Sequence, residues 1–357
     1  APFNAIMSEG FSYYRLLPVG ELAFKAVNAR PAKLYKPSQG ALRLASFNLY
    51  NYFNGNGQGA GFPTPRGASS KFEFSRQREK TLNALAQMNA DIIGLLELEN
   101  DGYGKRSSIQ DLIEGLAAKG MEYRFVNSDD EFIGTDKIRV AFLYKPARVA
   151  LKGKARALNS RVDPAFSDRF NRPSLAQSFT DLQSRGELTV VINHLKSKGS
   201  SCEAVADPDK ADGQGNCNLT RTRAAQALAR WIFTDPTRSG DADVLLMGDF
   251  NAYAKEDPIV ALEAAGYQNA SHQPSYSYIY SGRSGSLDHA LSSPSLTPQI
   301  TQVREWAINA DEPRIFDYNL EYKPESYQKD LYQPDPYRSS DHDPIIVDIK
   351  LTGSGVQ

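Results

Sequence analysis

Four apolar runs of strand length in this 357-residue chain end in polar side chains of unusual density: Ser46-Phe47-Asn48, Leu96-Glu97-Leu98-Glu99-Asn100, Val191-Ile192-Asn193-His194 and Met247-Gly248-Asp249-Phe250-Asn251. Two further segments share the pattern, Leu287-Asp288-His289 and the loop Ser339-Ser340-Asp341-His342-Asp343-Pro344. Strand ends gathered on one sheet edge are where α/β proteins put their sites, so these residues would line a cleft rich in oxygen ligands. Such a donor set, with few imidazoles and no thiolate, suits Mg²⁺, with Mn²⁺ or Ca²⁺ as alternatives, rather than zinc. The chain has four histidines, and His194 and His342 both fall inside these clusters. Taken singly, each cluster is also an ordinary turn or cap sequence; the recurrence is what points to chemistry.

The elements that must position these residues follow from periodicity. The first convincing strand, Leu42 to Asn48, breaks into a Gly- and Pro-rich loop over 55–65. Residues 76–89 place Leu82, Leu85, Ala86 and Met88 near one helical face, and Asp91 to Leu96 reads as a buried strand ending at Glu97. Ser108 opens a Ser-x-x-Asp capping pattern ahead of Ile109, Leu112, Ile113, Leu116 and Ala117, an amphipathic helix. Strands are expected at 122–127, 138–144, 174–182 and 187–193, the last two joined at Gly186, and a helix over 219–234 feeds a strand at Val244. A short helix at 257–265 and strands at 287–291 and 345–349 complete the set. Helices and strands alternate early while hairpins come later, which fits two mixed sheets with helices outside better than one parallel sheet. Residues 1–40 read as an extension packed on a main domain of 41–351, residues 311–340 as a long surface loop, and 352–357 as a tail.

Lys plus Arg number 41 against 42 Asp plus Glu, a formal charge of −1, so no net field steers the molecule onto a polyanion and nucleic-acid contact must rest on a local patch. The composition, 41% hydrophobic and 23% charged, excludes disorder as the main state. No apolar run reaches the roughly 18 residues a membrane-crossing helix needs. The first residue, Ala1, suits a mature chain whose leader has been removed, a hint of export. Cys202 and Cys217 lie in a polar stretch without a Cys-x-x-Cys, which leaves a disulfide or two free thiols. A bridge closing a loop of this size would restrict the unfolded chain by roughly 3 kcal/mol and imply an oxidising compartment.

Gly248-Asp249-Phe250-Asn251 and Ser340-Asp341-His342-Asp343-Pro344, with a carboxylate after Asp91-Ile92-Ile93-Gly94-Leu95-Leu96, together resemble the endonuclease/exonuclease/phosphatase superfamily over about residues 42–350. Finer features are similar to the bacterial secreted nucleases of the ExeM type: Thr-Pro-Arg-Gly-Ala (64–68), Arg76-Gln77 with Lys80, Glu97-Leu98-Glu99-Asn100-Asp101, the run Asn193 to Ser200, and Gly-Gln-Gly-Asn-Cys-Asn (213–218). The resemblance implies an α/β (α+β) fold, a four-layered α/β/β/α sandwich of two mixed sheets as in the pancreatic-type deoxyribonucleases. It implies a metal held by Asn48 and Glu97 with Asp341 nearby, and Asp249 orienting or deprotonating the attacking water. Asn251 would contact the phosphate, His342 would sit beside it with Asp288 as its carboxylate partner, and His194 would be a second catalytic histidine. The branch also carries the cysteine pair, which supports the Cys202–Cys217 bridge. Two positions depart from the pattern: Leu96 where Gln is common and His289 where Tyr is frequent.

The function so implied is a secreted, extracellular, divalent-metal-dependent nuclease, a monomer cleaving DNA, and RNA as an extension, with little sequence preference. Arg139, Asn193, Lys196 and Lys198 are the expected phosphate contacts, with Arg66, Arg76, Arg221 and Arg223 as further cations. His342 could be the oxyanion-stabilising cation, or the general base with His194 as acid. The alternatives are a phosphodiesterase of the same fold acting on a lipid headgroup or small phosphate ester, and a non-catalytic binding module. Sphingomyelinase-like action would call for an exposed apolar hairpin, and none stands out in the sequence. His272 reads as an exposed residue, Asp207, Asp209 and Asp212 as a solvated turn, and Tyr276, Tyr278 and Tyr280 as packing rather than base-stacking groups.

Overall fold

A computed structural model describes residues 2–10, 13–25, 34–271 and 275–353, so His272 lies outside the described residues. The chain divides into two compact units, Ala1–Ala32 and Lys33–Gln357. Residues 34–40 go with the larger unit because Leu34 packs on its core and the Tyr35 ring receives the guanidiniums of Arg43 and Arg304 at 4.7 and 4.8 Å.

In the smaller unit Ala5–Gly10 pairs antiparallel with Tyr13–Pro18. Ile6, Met7, Tyr13, Tyr14, Leu16 and Leu17 are each at least 50% exposed. This is an exposed apolar hairpin and corrects the expectation that the chain has none. Its apolar residues come in adjacent pairs, one on each face, so no period of two marks the strands.

The larger unit holds two six-stranded sheets. One runs in the order Ile300–Glu305, Ile345–Ile349, Leu42–Tyr52, Ile92–Glu99, Ile138–Tyr144, Arg124–Phe125, and the other Gln268–Asn269, Asp288–Ser292, Val244–Asp249, Glu187–His194, Arg172–Asp181, Val149–Leu158. Each is mixed: Leu42–Tyr52 is parallel to Ile92–Glu99, Glu187–His194 is parallel to Val244–Asp249, and the other pairings are antiparallel. A parallel pair needs a crossover, and the helices Lys71–Met88 and Asn218–Phe233 supply the two required.

Leu42, Leu44 and Phe142 of one sheet pack against Phe179, Ile192 and Met247 of the other. A Cβ on Gly94 would lie 2.0 Å from Ile192 Cδ1, so the sheets can approach this closely only over a glycine. On the outer face of the first sheet Phe47, Ile93 and Leu95 meet Leu82, Leu85, Leu112 and Leu116 of two helices. On the outer face of the second, Val191 and Leu246 meet Ala224, Leu228, Ile259 and Leu262. The result is the expected four-layered α/β/β/α sandwich. No described helix is long and apolar enough to cross a membrane.

Several boundaries differ from expectation. The first helix begins at Lys71, five residues before the apolar periodicity, because Ser70 Oγ accepts from Glu73 N–H (3.2 Å) and Glu73 Oε2 accepts from Ser69 N–H (2.7 Å), a capping pair. The second helix is capped by Ser107, not Ser108, whose hydroxyl instead donates to Glu99 Oε2 at 2.9 Å. The edge strand Val149–Leu158 was unexpected; a bulge between Lys152 and Arg156 interrupts its alternation. The 311–340 segment is held on the first helix: Arg76 stacks 4.0 Å over the Tyr332 ring, and Lys80 Nζ donates to Tyr337 O at 2.8 Å. Neither cation is free to meet DNA, and nor is Arg221, which is fully buried and donates to Lys196 O at 3.0 Å.

Cys202 and Cys217 are joined, and the loop they close carries Asp207, whose carboxylate accepts from Leu219 N–H (3.2 Å) and Thr220 N–H (2.8 Å) at the start of Asn218–Phe233. The solvated-turn reading therefore fails for Asp207, which caps a helix. Replacing both cysteines by serine should lower the unfolding free energy by about 3 kcal/mol. Denaturant titration checks this, and an unchanged midpoint would count against a structural role for the bridge.

Candidate active site

The first sheet supplies Asn48 and Glu97 in different ways. Leu42 and Leu44 face the other sheet, and the period of two carries Asn48 to the same side. Glu97 cannot arrive so simply, because Leu96 faces that core and its successor should point to the helices. The register shifts between Leu95 and Leu98, and Glu97 takes φ +56, a left-handed conformation that redirects its side chain. Tyr50 and Asn51 are left-handed too, at φ 55 and 58. Such residues cost about 1–3 kcal/mol each and persist only where neighbours hold them. Gln77 does so from the first helix, its Nε2 donating to Tyr50 O at 2.9 Å and to Leu49 O and Asn51 O at 3.3 Å. Asn51 N–H in turn donates to Glu97 Oε2, and Tyr50 N–H to Asn48 Oδ1, both at 2.9 Å.

The second sheet supplies a single row. Asp249 pairs with His194 on one side and Asp288 on the other, so three site residues end three neighbouring strands in register. Gly248 makes the row possible: it has φ +127, and a Cβ there would sit 2.1 Å from Asn193 O. His342 comes from the loop before the last strand and completes the group, with Asp249, Asp288 and His342 ligand atoms all within 4.8 Å of one another. Its backbone is pinned by two buried residues. Asp343 Oδ1 accepts from the N–H groups of Ile308, Asn309 and Ala310 at 2.9, 2.6 and 3.2 Å, and the Asn309 carboxamide donates to His342 O at 2.7 Å while accepting from Ser340 N–H at 3.2 Å.

The two imidazoles are electrostatic opposites. His342 Nδ1 lies 2.7 Å from Asp288 Oδ2, which also accepts from Ser277 Oγ at 2.7 Å. Burial would lower the His342 pKa, yet Asp288, then Asp249 and Asp341, overcome it and hold the ring well above the ordinary value, as the cation. His194 is pushed well below it by burial, then by Arg172, His342, Arg66 and Lys196, and is neutral. Asp249 lies between them, its Oδ2 3.6 Å from His194 Nε2 and 3.9 Å from His342 Nε2. Burial raises its pKa to about 7, opposed by His342 and the Asn251 N–H and assisted by Asp288 and Glu97. A carboxylate poised near neutrality beside a cationic imidazole is the pairing that water-mediated hydrolysis of a phosphate ester needs.

Of the other expected site residues, Asn251 is turned onto Asp249, with N–H to Oδ1 at 2.8 Å and Nδ2 to Oδ2 at 3.2 Å. Lys196 stands half-buried just past His194. Three phosphate-contact expectations are corrected. Arg139 is fully buried, its Nη2 donating to Gly102 O at 2.7 Å under the Tyr103 ring. Asn193 is also fully buried, and both amide hydrogens go to carbonyls, Val191 O at 3.1 Å and Met247 O at 3.2 Å. Lys198 is paired with Glu256 and lies 4.4 Å over the Tyr253 ring. Sequence reasoning missed Arg172, which acts on Glu97 and His194, and also Ser277 and Asn309, while Tyr278, expected to pack, does so 4.6 Å from the His342 ring. His289, in the Leu287-Asp288-His289 segment, is a satisfied core residue, bonded to Ala252 O at 2.8 Å and Asn269 Nδ2 at 3.2 Å.

A divalent cation fits the first-sheet residues. Glu97 is held above its ordinary pKa by burial and by Asp341, only partly offset by His342 and Arg172, and its Oε1 has His194 Nε2 no nearer than 4.0 Å. Asn48 Oδ1 has one backbone N–H and a second lone pair to offer. Under-neutralised hard oxygens of this kind are what Mg²⁺ or Ca²⁺ binds.

The chain belongs to the endonuclease/exonuclease/phosphatase family, whose model matches residues 45–342. No curated protein matches it by sequence. Among solved structures it is similar to the catalytic domain of human Nocturnin with bound sulfate anion (14% identity, 89% of this chain and 97% of that one, TM-score 0.52). It is also similar to a mannosyl-6-phosphatase of Bacteroides thetaiotaomicron (16%, 86% and 98%, 0.53) and to D. rerio TDP2 complexed with single strand DNA product (14%, 86% and 98%, 0.50). At these identities the likeness shows the shared fold. Members of the family are typically metal-dependent hydrolases of phosphodiesters or phosphates.

Two outcomes are expected of the site. His342→Ala and Asp249→Ala should each lower kcat roughly 100-fold or more in steady-state assays, the scale of lost acid–base or electrostatic help. In the pH–rate profile, Asp249 must be ionised to take a proton, so the rate should climb as pH rises, with its limb at or below about pH 7, since a bound cation lowers it further. The fall at high pH reports loss of the His342 charge and should move to lower pH in Asp288→Asn, because the neutral amide no longer supports the cation.

Proposed function

We propose that this protein is a divalent-metal-dependent nuclease that hydrolyses phosphodiester bonds of DNA, and of RNA as a secondary substrate, with little sequence preference. The observation that carries this is the pairing of a cationic His342, backed by Asp288, with Asp249 across one buried centre. Glu97 and Asn48, with Asp341 beside them, would hold Mg²⁺, or Mn²⁺ or Ca²⁺ in its stead, and the bound ion would supply Lewis-acid charge neutralisation at the phosphate. Asp249 orients the attacking water and takes its proton, and Asn251 keeps that carboxylate in place. His342 binds a non-bridging oxygen through Nε2 as negative charge grows on it, a contribution strongest where the donor is already oriented and buried. His194, neutral and on the other side of Asp249, with its Nε2 3.6 Å from that carboxylate, is a hydrogen-bonding group for the water there and not a proton donor, and the leaving oxygen would take its proton from solvent. The Cys202–Cys217 bridge supports the secreted, extracellular part of this reading, since such bridges persist in oxidising compartments.

The exposed hairpin at Ala5–Gly10 and Tyr13–Pro18 favours one second reading, a phosphodiesterase acting on lipid headgroups at a membrane surface. Supercoiled plasmid incubated with the purified chain and Mg²⁺ should be nicked, and chelation should abolish nicking. Absence of nicking with every divalent ion tried, together with hydrolysis of sphingomyelin vesicles, would replace the first reading by the second.

A further inference from the structure

The first helix, Lys71–Met88, buries a polar stripe that the hydrolytic chemistry does not use. Glu73, Arg76, Gln77 and Lys80 follow the i, i+3, i+4, i+7 spacing of one helix face and are 2%, 4%, 0% and 1% exposed. Polar groups withdrawn from water are costly unless bonded, so their partners show what the stripe serves. Three of the four hold the 311–340 segment. Glu73 Oε1 accepts from Leu320 N–H at 2.7 Å, Arg76 Nη1 donates to Gln328 O at 2.8 Å, and Lys80 Nζ donates to Tyr337 O at 2.8 Å. Gln77 differs: its amide donates to Leu49 O, Tyr50 O and Asn51 O, three successive carbonyls of one turn.

That turn carries a tether to each of the two first-sheet metal ligands. Tyr50 N–H donates to Asn48 Oδ1 and Asn51 N–H to Glu97 Oε2, each at 2.9 Å. A donor fixed on one oxygen sets where the remaining lone pairs of the carboxamide or carboxylate point. Both tethers come from left-handed residues, a conformation that persists only while its surroundings hold it. The Tyr318 ring meets the Tyr50 ring edge-on at 5.9 Å, so the segment held by the other three residues also covers the turn. With Nε2 given to carbonyls, the buried Gln77 Oε1 has no hydrogen-bond partner among the described residues, a cost to stability. A contact kept at that cost serves orientation.

We propose that Gln77 is a positioning residue for the divalent cation: by fixing the turn at 49–51 it presets Asn48 and Glu97 and so sets the affinity of the site for the ion. The inference rests on the metal-dependent reading above. It goes further in assigning the ligand geometry to a helix residue that bonds to neither ligand, and it gives the Arg76-Gln77 and Lys80 pattern of the sequence a physical role.

Binding of Mn²⁺ without substrate, followed by the paramagnetic resonance signal of the free ion, tests it; the relevant site is the one lost in Glu97→Gln. Gln77→Met, close in length but without the donor, should weaken that binding by about tenfold or more, the scale of losing an outer partner of a metal ligand. Gln77→Asn keeps the amide but draws it back by one methylene, should weaken binding by about threefold or more, and decides the matter if the Met variant does not fold. Arg76→Met removes a neighbour in the stripe whose side-chain bonds go to the 311–340 segment. It should lower the melting temperature yet keep Mn²⁺ affinity within about twofold, because it shares no partner with the turn. In steady-state assays Gln77→Met should raise the Mg²⁺ concentration needed for half-maximal rate and recover most of kcat at saturation. Unchanged Mn²⁺ affinity in the folded Gln77 variants, or an equal loss in Arg76→Met, would overturn the positioning role and leave the metal-dependent reading intact. Absence of Glu97-dependent Mn²⁺ binding in the wild type would overturn that reading and the inference with it.

Discussion

A buried ion pair organises this molecule. Asp288 and His342 are 2% and 6% exposed and 2.7 Å apart, and charges withdrawn from water to that degree are stable only when the remaining lone pairs and protons also find partners. Ser277 supplies the second hydrogen bond to the carboxylate, the Tyr278 ring covers the imidazole, and Asn309 with Asp343 fixes the backbone from which the histidine projects. Each of these groups comes from a segment whose path is set by a different part of the fold. The pair is therefore a point where the second sheet, the short antiparallel hairpin of Tyr278–Tyr280 with Arg283–Gly285, and the last loop must agree.

The sandwich meets that demand by dividing the work. Three neighbouring strands of the second sheet deliver Asp249, His194 and Asp288 as a row whose spacing follows from their mutual register. The first sheet delivers Glu97 only by breaking register, and of the three left-handed residues there Tyr50 and Asn51 are held by the Gln77 amide from the adjacent helix while the Asn51 N–H holds the Glu97 carboxylate. The division is not complete, since Gly248 has φ +127 and Asn251, which steadies Asp249, is left-handed at φ 49, but the three reacting residues themselves stay in register. A cation tolerates adjustment of its ligands, whereas proton transfer needs groups within a narrow distance of one another.

The strand-end clusters were legible because alternation, turn residues and polar density are local properties, and Asn48, Glu97, His194, Asp249, Asp288 and His342 converge as their motifs imply. The arginines were not legible. Arg139 and Arg172 both sit in strands near a motif, yet one lies wholly beneath Tyr103 and the other behind His194, and no local pattern separates them. Asn193 and Lys198 are consumed by partners far along the chain, Met247 O and Glu256. The exposed hairpin of the smaller unit escaped for the opposite reason, since its apolar residues lie on both faces and mimic no amphipathic element.

What the sequence determined by itself was most of the cast of residues and the plan of two mixed sheets with helices outside, because periodicity, turn chemistry and motif spacing act over a few residues at a time, whereas it left Cys202 and Cys217 open between a bridge and two free thiols. What only the tertiary structure decided was the state of those residues: that His342 is the cation and His194 the neutral ring, and that Asp249 is poised near neutrality. Protonation follows from burial and from charges a few ångströms away, and Asp288, the largest charge acting on His342, lies 54 positions from it in the chain. A one-dimensional pattern carries no such distance; folding creates it.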